Sequence, residues 1–171
     1  SDPTNIVLTD KIQSSPGSGI IPHNVHFMDD YMITSYYTDG VVIHDVSNKG
    51  NMVEVGNYDT SPAYSGDTFN GCWGVYPWLP SGNIIATDIE NGLYIIGATY
   101  ARGCYLEGNV TNSVTSGLIN NVDIEIMTTT VENTSNLVGY YATGYSTAGS
   151  YDVIYSNPAY ISDTIFGVSL V

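Results

Sequence analysis

The apolar positions of this chain fall into short runs bounded by Gly, Asn, Asp and Pro, the pattern of brief strands joined by tight turns. One such pattern occurs twice. Met32-Ile33-Thr34-Ser35-Tyr36-Tyr37-Thr38-Asp39-Gly40 is answered 52 positions later by Ile84-Ile85-Ala86-Thr87-Asp88-Ile89-Glu90-Asn91-Gly92, and each copy runs on into an apolar strand, Val41-Val42-Ile43 and Leu93-Tyr94-Ile95-Ile96. Upstream, Trp73-Gly74-Val75-Tyr76 aligns with His23-Asn24-Val25-His26 at an offset of 50, and two extra residues near Pro80-Ser81-Gly82 restore 52.

In chain order, Ile6 to Ile12 predicts a first strand, and Ser14 to Gly19 reads as a loop by composition. His23 to Met28, Tyr31 to Tyr37, Val41 to Val46 and Met52 to Tyr58 then predict a four-stranded antiparallel meander, about the length of one propeller blade. Asp39-Gly40 predicts a two-residue hairpin turn, repeated at Asn91-Gly92, because such turns require positive φ. Thr60 to Asn70 is a loop, and the second copy shows three strands before its pattern ends after Ile96. A propeller reading leaves these strands with open edges, to be covered by other blades of the same protein or by neighbouring chains.

Beyond a boundary at about Ala98 to Gly103 the grammar changes. Tyr105 to Thr111, Val122 to Met127, Leu137 to Thr143, Gly149 to Tyr155 and Thr164 to Val171 predict a small β-sandwich, with Val122, Ile124 and Ile126 on one face and Asp123 and Glu125 on the other. The expected class is all-β: a partial propeller over residues 1–99 and a sandwich over 100–171.

Composition narrows the function classes. Lys11, Lys49 and Arg102 oppose 17 carboxylates, for a formal charge of −14, so a nucleic acid would be repelled. No apolar run reaches the roughly 20 residues of a membrane-spanning helix. Few charged residues, 12%, beside 15 Tyr and abundant Thr, Ser and Asn suit an extracellular β protein. Cys72 and Cys104 are compatible with one disulfide in an oxidising compartment, or with two buried free thiols.

Candidate chemistry is sparse. His23 and His26, with Asp29 and Asp30 behind them, carry the ligand types of a zinc site, but three-residue spacing puts the two rings on opposite strand faces, which favours a structural role. Asp59, Asp67 and Asp88 supply hard oxygens for calcium, without a spaced calcium-loop motif. Trp73, Tyr76 and Trp78, with Tyr64 in the preceding loop, are candidates for a sugar-stacking platform, Tyr64 and Trp78 first among them; packing within a blade, with Trp78 exposed near the Pro-rich turn, is the simpler role. No nucleophile elbow, His-Glu-x-x-His helix or phosphate loop is present, and Asp29 and Asp30 adjoin in a turn rather than flank a cleft. Asn109-Val110-Thr111 and Asn133-Thr134-Ser135 match the glycosylation pattern and carry no weight in a chain this rich in Asn and Thr.

The motifs His23 to His26, Tyr36 to Gly40, Val53 to Thr60 and Phe69-Asn70-Gly71-Cys72-Trp73-Gly74-Val75-Tyr76-Pro77 together resemble the closing blades of the LVIVD-repeat β-propeller of choice-of-anchor B family proteins, large secreted proteins of bacteria. The second module, with Glu107 to Thr111, Gly139-Tyr140-Tyr141, Gly149 to Val153 and Ala159-Tyr160, resembles the carboxypeptidase regulatory-like (transthyretin-like) domain, a spacer or interaction module. The resemblance implies a secreted or cell-surface protein; with the sparse candidate chemistry, the expectation is a non-enzymatic binding, adhesion or structural protein without a cofactor unless calcium, whose partners are surface proteins or glycans. Cys72 stands where the family is expected to have a small residue, so the resemblance does not support a Cys72–Cys104 disulfide. Two alternatives remain: the accessory portion of a secreted hydrolase with its active site in other segments, or a structural subunit completed by strand exchange with a neighbouring chain.

Overall fold

The repeat seen in the sequence is a repeat of backbone geometry. A computed structural model describes residues 2–171, which form two units, one ending at Arg102 and one beginning at Gly103. In the first unit, β1 (Pro22–Met28), β2 (Tyr31–Tyr36), β3 (Gly40–Asp45) and β4 (Val53–Tyr58) make an antiparallel meander, and β5 (Cys72–Tyr76), β6 (Ile84–Asp88) and β7 (Gly92–Ile96) make a second, three-stranded one. The protein is all-β, and these two meanders are the sheets that a partial propeller requires.

Both copies share a bulge and a turn. In β1 the register with β2 slips between Pro22 and Asn24, leaving His23 as the extra residue; in β5 the register with β6 slips between Cys72 and Gly74, leaving Trp73. Tyr36 pairs with Gly40, and Asp88 with Gly92, across connections of equal length. The two-residue hairpins expected from Asp39-Gly40 and Asn91-Gly92 are therefore corrected: Tyr37–Asp39 forms a 3-10 turn, and Gly40, at φ 74°, is already the first residue of β3. A positive φ is needed as foreseen, but for re-entry into the strand rather than for a type I′ turn.

The two sheets of this unit share one core. Tyr31, Ile33, Val41 and Ile43 from the first meander meet Cys72, Val75, Ile84 and Ala86 from the second, and Tyr94, Ile96, Ala98 and Tyr100 pack beside them. Tyr100 also accepts a hydrogen bond at its carbonyl from the Tyr31 hydroxyl, 2.9 Å away. Across the other face of the first meander, Ile20 packs on Tyr36 and Val42, and the Ser14 hydroxyl donates to Asp39 at 2.5 Å. The strand expected over Ile6 to Ile12 is absent: those residues pair with no strand among the described residues, and Ile6, Val7 and Leu8 are exposed. An apolar run alone does not make a strand when no ladder receives its N–H and C=O groups; Asp10 ties the segment to the fold, accepting the Met52 N–H at 2.7 Å.

The second unit holds β8 (Cys104–Asn109), β9 (Asp123–Ile126), β10 (Glu132–Thr134), β11 (Tyr140–Tyr145), β12 (Gly149–Ser156) and β13 (Asp163–Leu170). A four-stranded sheet in the order β10-β9-β12-β13 faces the pair β11-β8, over two small clusters centred on Ile126 with Leu170 and on Ile124 with Val153. Ile124 and Ile126 point inward and Asp123 and Glu125 outward, as the alternation requires. No helix among the described residues is long and apolar enough to cross a membrane.

Candidate functional site

The aromatic residues divide at the bulges. Because His23 and Trp73 are the extra residues of β1 and β5, each is turned out of strand parity, and their rings lie 4.2 Å apart with the His23 Nδ1 against the Trp73 carbonyl. Tyr37 stands edge-on to His23 at 5.3 Å and to Phe69 at 5.3 Å, completing a first cluster. Trp78 forms a second, edge-on to His26 at 5.0 Å and to Tyr76 at 5.4 Å. The platform is thus two clusters rather than one, each built across the two copies. Tyr64 joins neither among the described residues; its N–H donates to the Ser61 carbonyl at 3.0 Å.

The histidines and acids serve the fold. His23 and His26 sit in different clusters, Asp30 pairs with Arg102 at 2.6 Å, and Arg102 reaches Asp45 at 3.2 Å while lying over the Tyr31 ring. The three calcium candidates do not converge. Asp88 accepts the Thr60 hydroxyl at 2.6 Å and the N–H groups of Glu90 and Asn91, Asp59 accepts the Ser61 N–H at 2.8 Å, and Asp67 lies by Gly19. Among the described residues, no three His, Cys, Asp or Glu side chains are grouped to hold a metal ion.

Both cysteines are free and buried, Cys72 in the core between the meanders and Cys104 in the sandwich. Burial pushes the Cys72 thiol up to about 12, with the Asp88 charge adding to the effect, so it stays protonated and unreactive. Iodoacetamide at pH 8 is expected to alkylate neither cysteine in the folded chain and both after unfolding; a mass showing two hydrogens lost and no alkylation even in denaturant would reveal a disulfide instead.

His44, the most unusual polar residue, is fully buried on the β3 face turned away from the shared core, and neither ring nitrogen finds a hydrogen-bond partner among the described residues. Burial lowers its pKa to about 4. Directly opposite it on β4, Glu54 is raised to about 7 by burial first and then by the Asp39 charge.

The cavity that the sequence did not reveal lies in the second unit. It measures about 580 Å³ and is lined by Val110, Asn112, Tyr141, Tyr155, Tyr160 and Ile165, among others. Tyr141 of β11 and Tyr155 of β12 come from the two facing sheets, and their hydroxyls meet at 2.8 Å. Burial, followed by the bond to Tyr141, raises the Tyr155 pKa and keeps it a neutral phenol. The rim is held by two asparagines. Asn112 Oδ1 accepts the Val114 and Thr115 N–H groups, and Asn157 Nδ2 donates to the Asn121 carbonyl at 2.7 Å. Val114 and Ile161 leave this rim strongly apolar and exposed. The available signal was an inward tyrosine on each of two facing strands, since a buried hydroxyl requires a partner. Comparison with family models, curated proteins and solved structures yields no match for this chain.

Proposed function

We propose that this chain is a binding part of a secreted or cell-surface bacterial protein, two blades of a propeller of the choice-of-anchor B type followed by a regulatory-like sandwich, and that it works by recognition rather than catalysis. The observation that carries the reading is the chemistry of the sandwich cavity. Its polar lining is phenol, amide and hydroxyl, with Asp163 the charged member, and residues 103–171 contain no Lys, Arg or His. Such a lining disfavours anions and suits an uncharged ligand with apolar faces and hydroxyls, a description that neutral glycans meet. Tyr160, half exposed at the rim, is the stacking residue in this reading.

Titration of the chain with neutral oligosaccharides, followed by backbone amide NMR, is expected to shift resonances around Tyr141, Tyr155 and Asn157. Tyr160→Ala is expected to weaken that binding about two- to tenfold without loss of folding, the size of one lost stacking contact. Shifts confined to other surfaces, or unchanged affinity in the variant, would remove the cavity from the reading.

A further inference from the structure

A second correspondence, at an offset of 46, runs through the N-terminal segment. Asn5-Ile6-Val7-Leu8-Thr9-Asp10-Lys11-Ile12-Gln13-Ser14-Ser15-Pro16 matches Asn51-Met52-Val53-Glu54-Val55-Gly56-Asn57-Tyr58-Asp59-Thr60-Ser61-Pro62. The structure keeps the match where the two runs end. The Ser14 hydroxyl donates at 2.5 Å to Asp39, in the turn that precedes β3, and the Thr60 hydroxyl donates at 2.6 Å to Asp88, beside the turn that precedes β7. Each run therefore passes into the next meander in the same way. The later run holds β4, the strand that pairs with β3, so the earlier one is the counterpart of a fourth strand, without a ladder among the described residues. Val53 in its ladder is 3% exposed, whereas Val7 in the same place is 67% exposed, between Ile6 at 89% and Leu8 at 82%.

The edge that lacks a fourth strand is that of β7. This strand is the counterpart of β3, and among the described residues no strand lies beyond it. Such an edge is a template for a strand from elsewhere. Carrying the β3–β4 register across by the two offsets gives one alignment: Leu93 opposite Ile12, Tyr94 opposite Lys11, Ile95 opposite Asp10 and Ile96 opposite Leu8, with Thr9 in the place of the bulged Val55. Leu8 then covers the partly buried Ile96, and Ile12 covers Leu93, which is 65% exposed. The bond from the Met52 N–H to Asp10 is made by the Asp10 side chain, so it does not occupy the backbone groups that a ladder uses.

We propose that Asn5–Ile12 of one molecule pairs as the fourth strand on β7 of a second copy of this chain. Within one molecule the two elements lie apart, because the unpaired run precedes the first meander as β4 precedes the second, which leaves the first meander between that run and β7. Each chain thus offers one strand without an edge and one edge without a strand. The contact is heterologous, so copies link head to tail and close as a ring where the rotation allows. The pairing rests on the repeat alone, independently of any ligand in the sandwich.

Directed cross-linking tests the register. Ile12→Cys and Leu93→Cys are made in separate chains, one of them isotopically labelled, and mixed in equal amounts under oxidation. Directly opposed residues of an antiparallel pair have Cα atoms roughly 4.5–5.5 Å apart, within reach of a disulfide. The native Cys72 and Cys104 are buried and do not compete. The mixed cross-link is expected in at least about tenfold excess over either homodimer. A statistical distribution of the three products overturns the proposal, and so does a double variant that closes within a single chain, which assigns the segment to its own β7. In sedimentation velocity at about 100 μM, the wild type is expected to run beyond the monomer and Val7→Asp with Leu8→Asp to return it to the monomer. Both side chains are exposed in the single chain, so that variant keeps its fold. A wild type that stays monomeric at this concentration overturns the proposal and leaves β7 to a strand of a different polypeptide.

Discussion

Gly40→Ala is expected to destabilise the first unit by about 4 kcal/mol and Gly92→Ala by about 1 kcal/mol, although the two glycines hold the same place in the repeat. Both begin a strand at positive φ, 74° and 86°. A Cβ on Gly40 would stand 2.1 Å from the Tyr58 carbonyl oxygen and 2.8 Å from the Asp59 Cα, so the backbone of β4 would have to move; a Cβ on Gly92 would meet nothing within 4 Å. Gly40 therefore carries a steric cost on top of the conformational one, and Gly92 the conformational cost alone. The difference arises from the fourth strand, which among the described residues is present beside β3 and absent beside β7. Both tryptophans lie in the first unit, so their fluorescence in a urea titration reports on that unit. Equal costs at the two glycines would show that β4 does not crowd Gly40.

Replacing His44 should have its effect mainly in acid. In the folded chain His44 titrates near 4 rather than 6.5, so between those values the unfolded chain takes up a proton that the folded chain refuses. Stability from this group is full above pH 6.5 and is lost as pH falls through 4, by about 3 kcal/mol at 1.36 kcal/mol per pH unit. Glu54 works in the opposite sense. Raised from 4.5 to about 7, its contribution is full below pH 4.5 and is lost as pH rises through 7; part exposure limits that to about 1–2 kcal/mol. His44→Leu removes two unpartnered polar atoms at similar volume and is expected to be neutral or stabilising at pH 8. Its advantage over the wild type should then grow by about 3 kcal/mol between pH 7 and pH 4. Denaturant curves for the two proteins across that range decide the matter, and parallel stability profiles would show that His44 is not held neutral by burial.

The repeat was legible because it is carried by side-chain pattern: the offset of 52 maps Tyr36 onto Asp88 and Gly40 onto Gly92, both pairs facing each other across their turns. The bulges were not legible. Nothing in the residue types marks His23 and Trp73 as extra, and parity reasoning therefore could not foresee that their rings would meet. β10 escaped notice because Glu132-Asn133-Thr134 is short and polar and is made a strand only by its ladder with β9. Ile6 to Ile12 failed in the converse way, with the composition of a strand and no ladder. The sandwich cavity depends on Tyr141 and Tyr155 converging from opposite sheets, a tertiary fact that no local pattern contains.

The connection between β5 and β6 shows where this architecture tolerates change in length. Tyr76 pairs with Ile85 where its counterpart His26 pairs with Ile33, so the second hairpin holds two more residues between matched positions, and they sit after one matched bulge and before one matched turn. Pro80, Ser81 and Gly82 are exposed, and the Gly82 N–H closes a turn on the Leu79 carbonyl at 2.9 Å. Duplicated segments diverge by accumulating insertions, and here an insertion at this one hairpin tip leaves the register of both sheets intact. That tip is where a foreign peptide can be displayed on the molecule without disturbing its ladders.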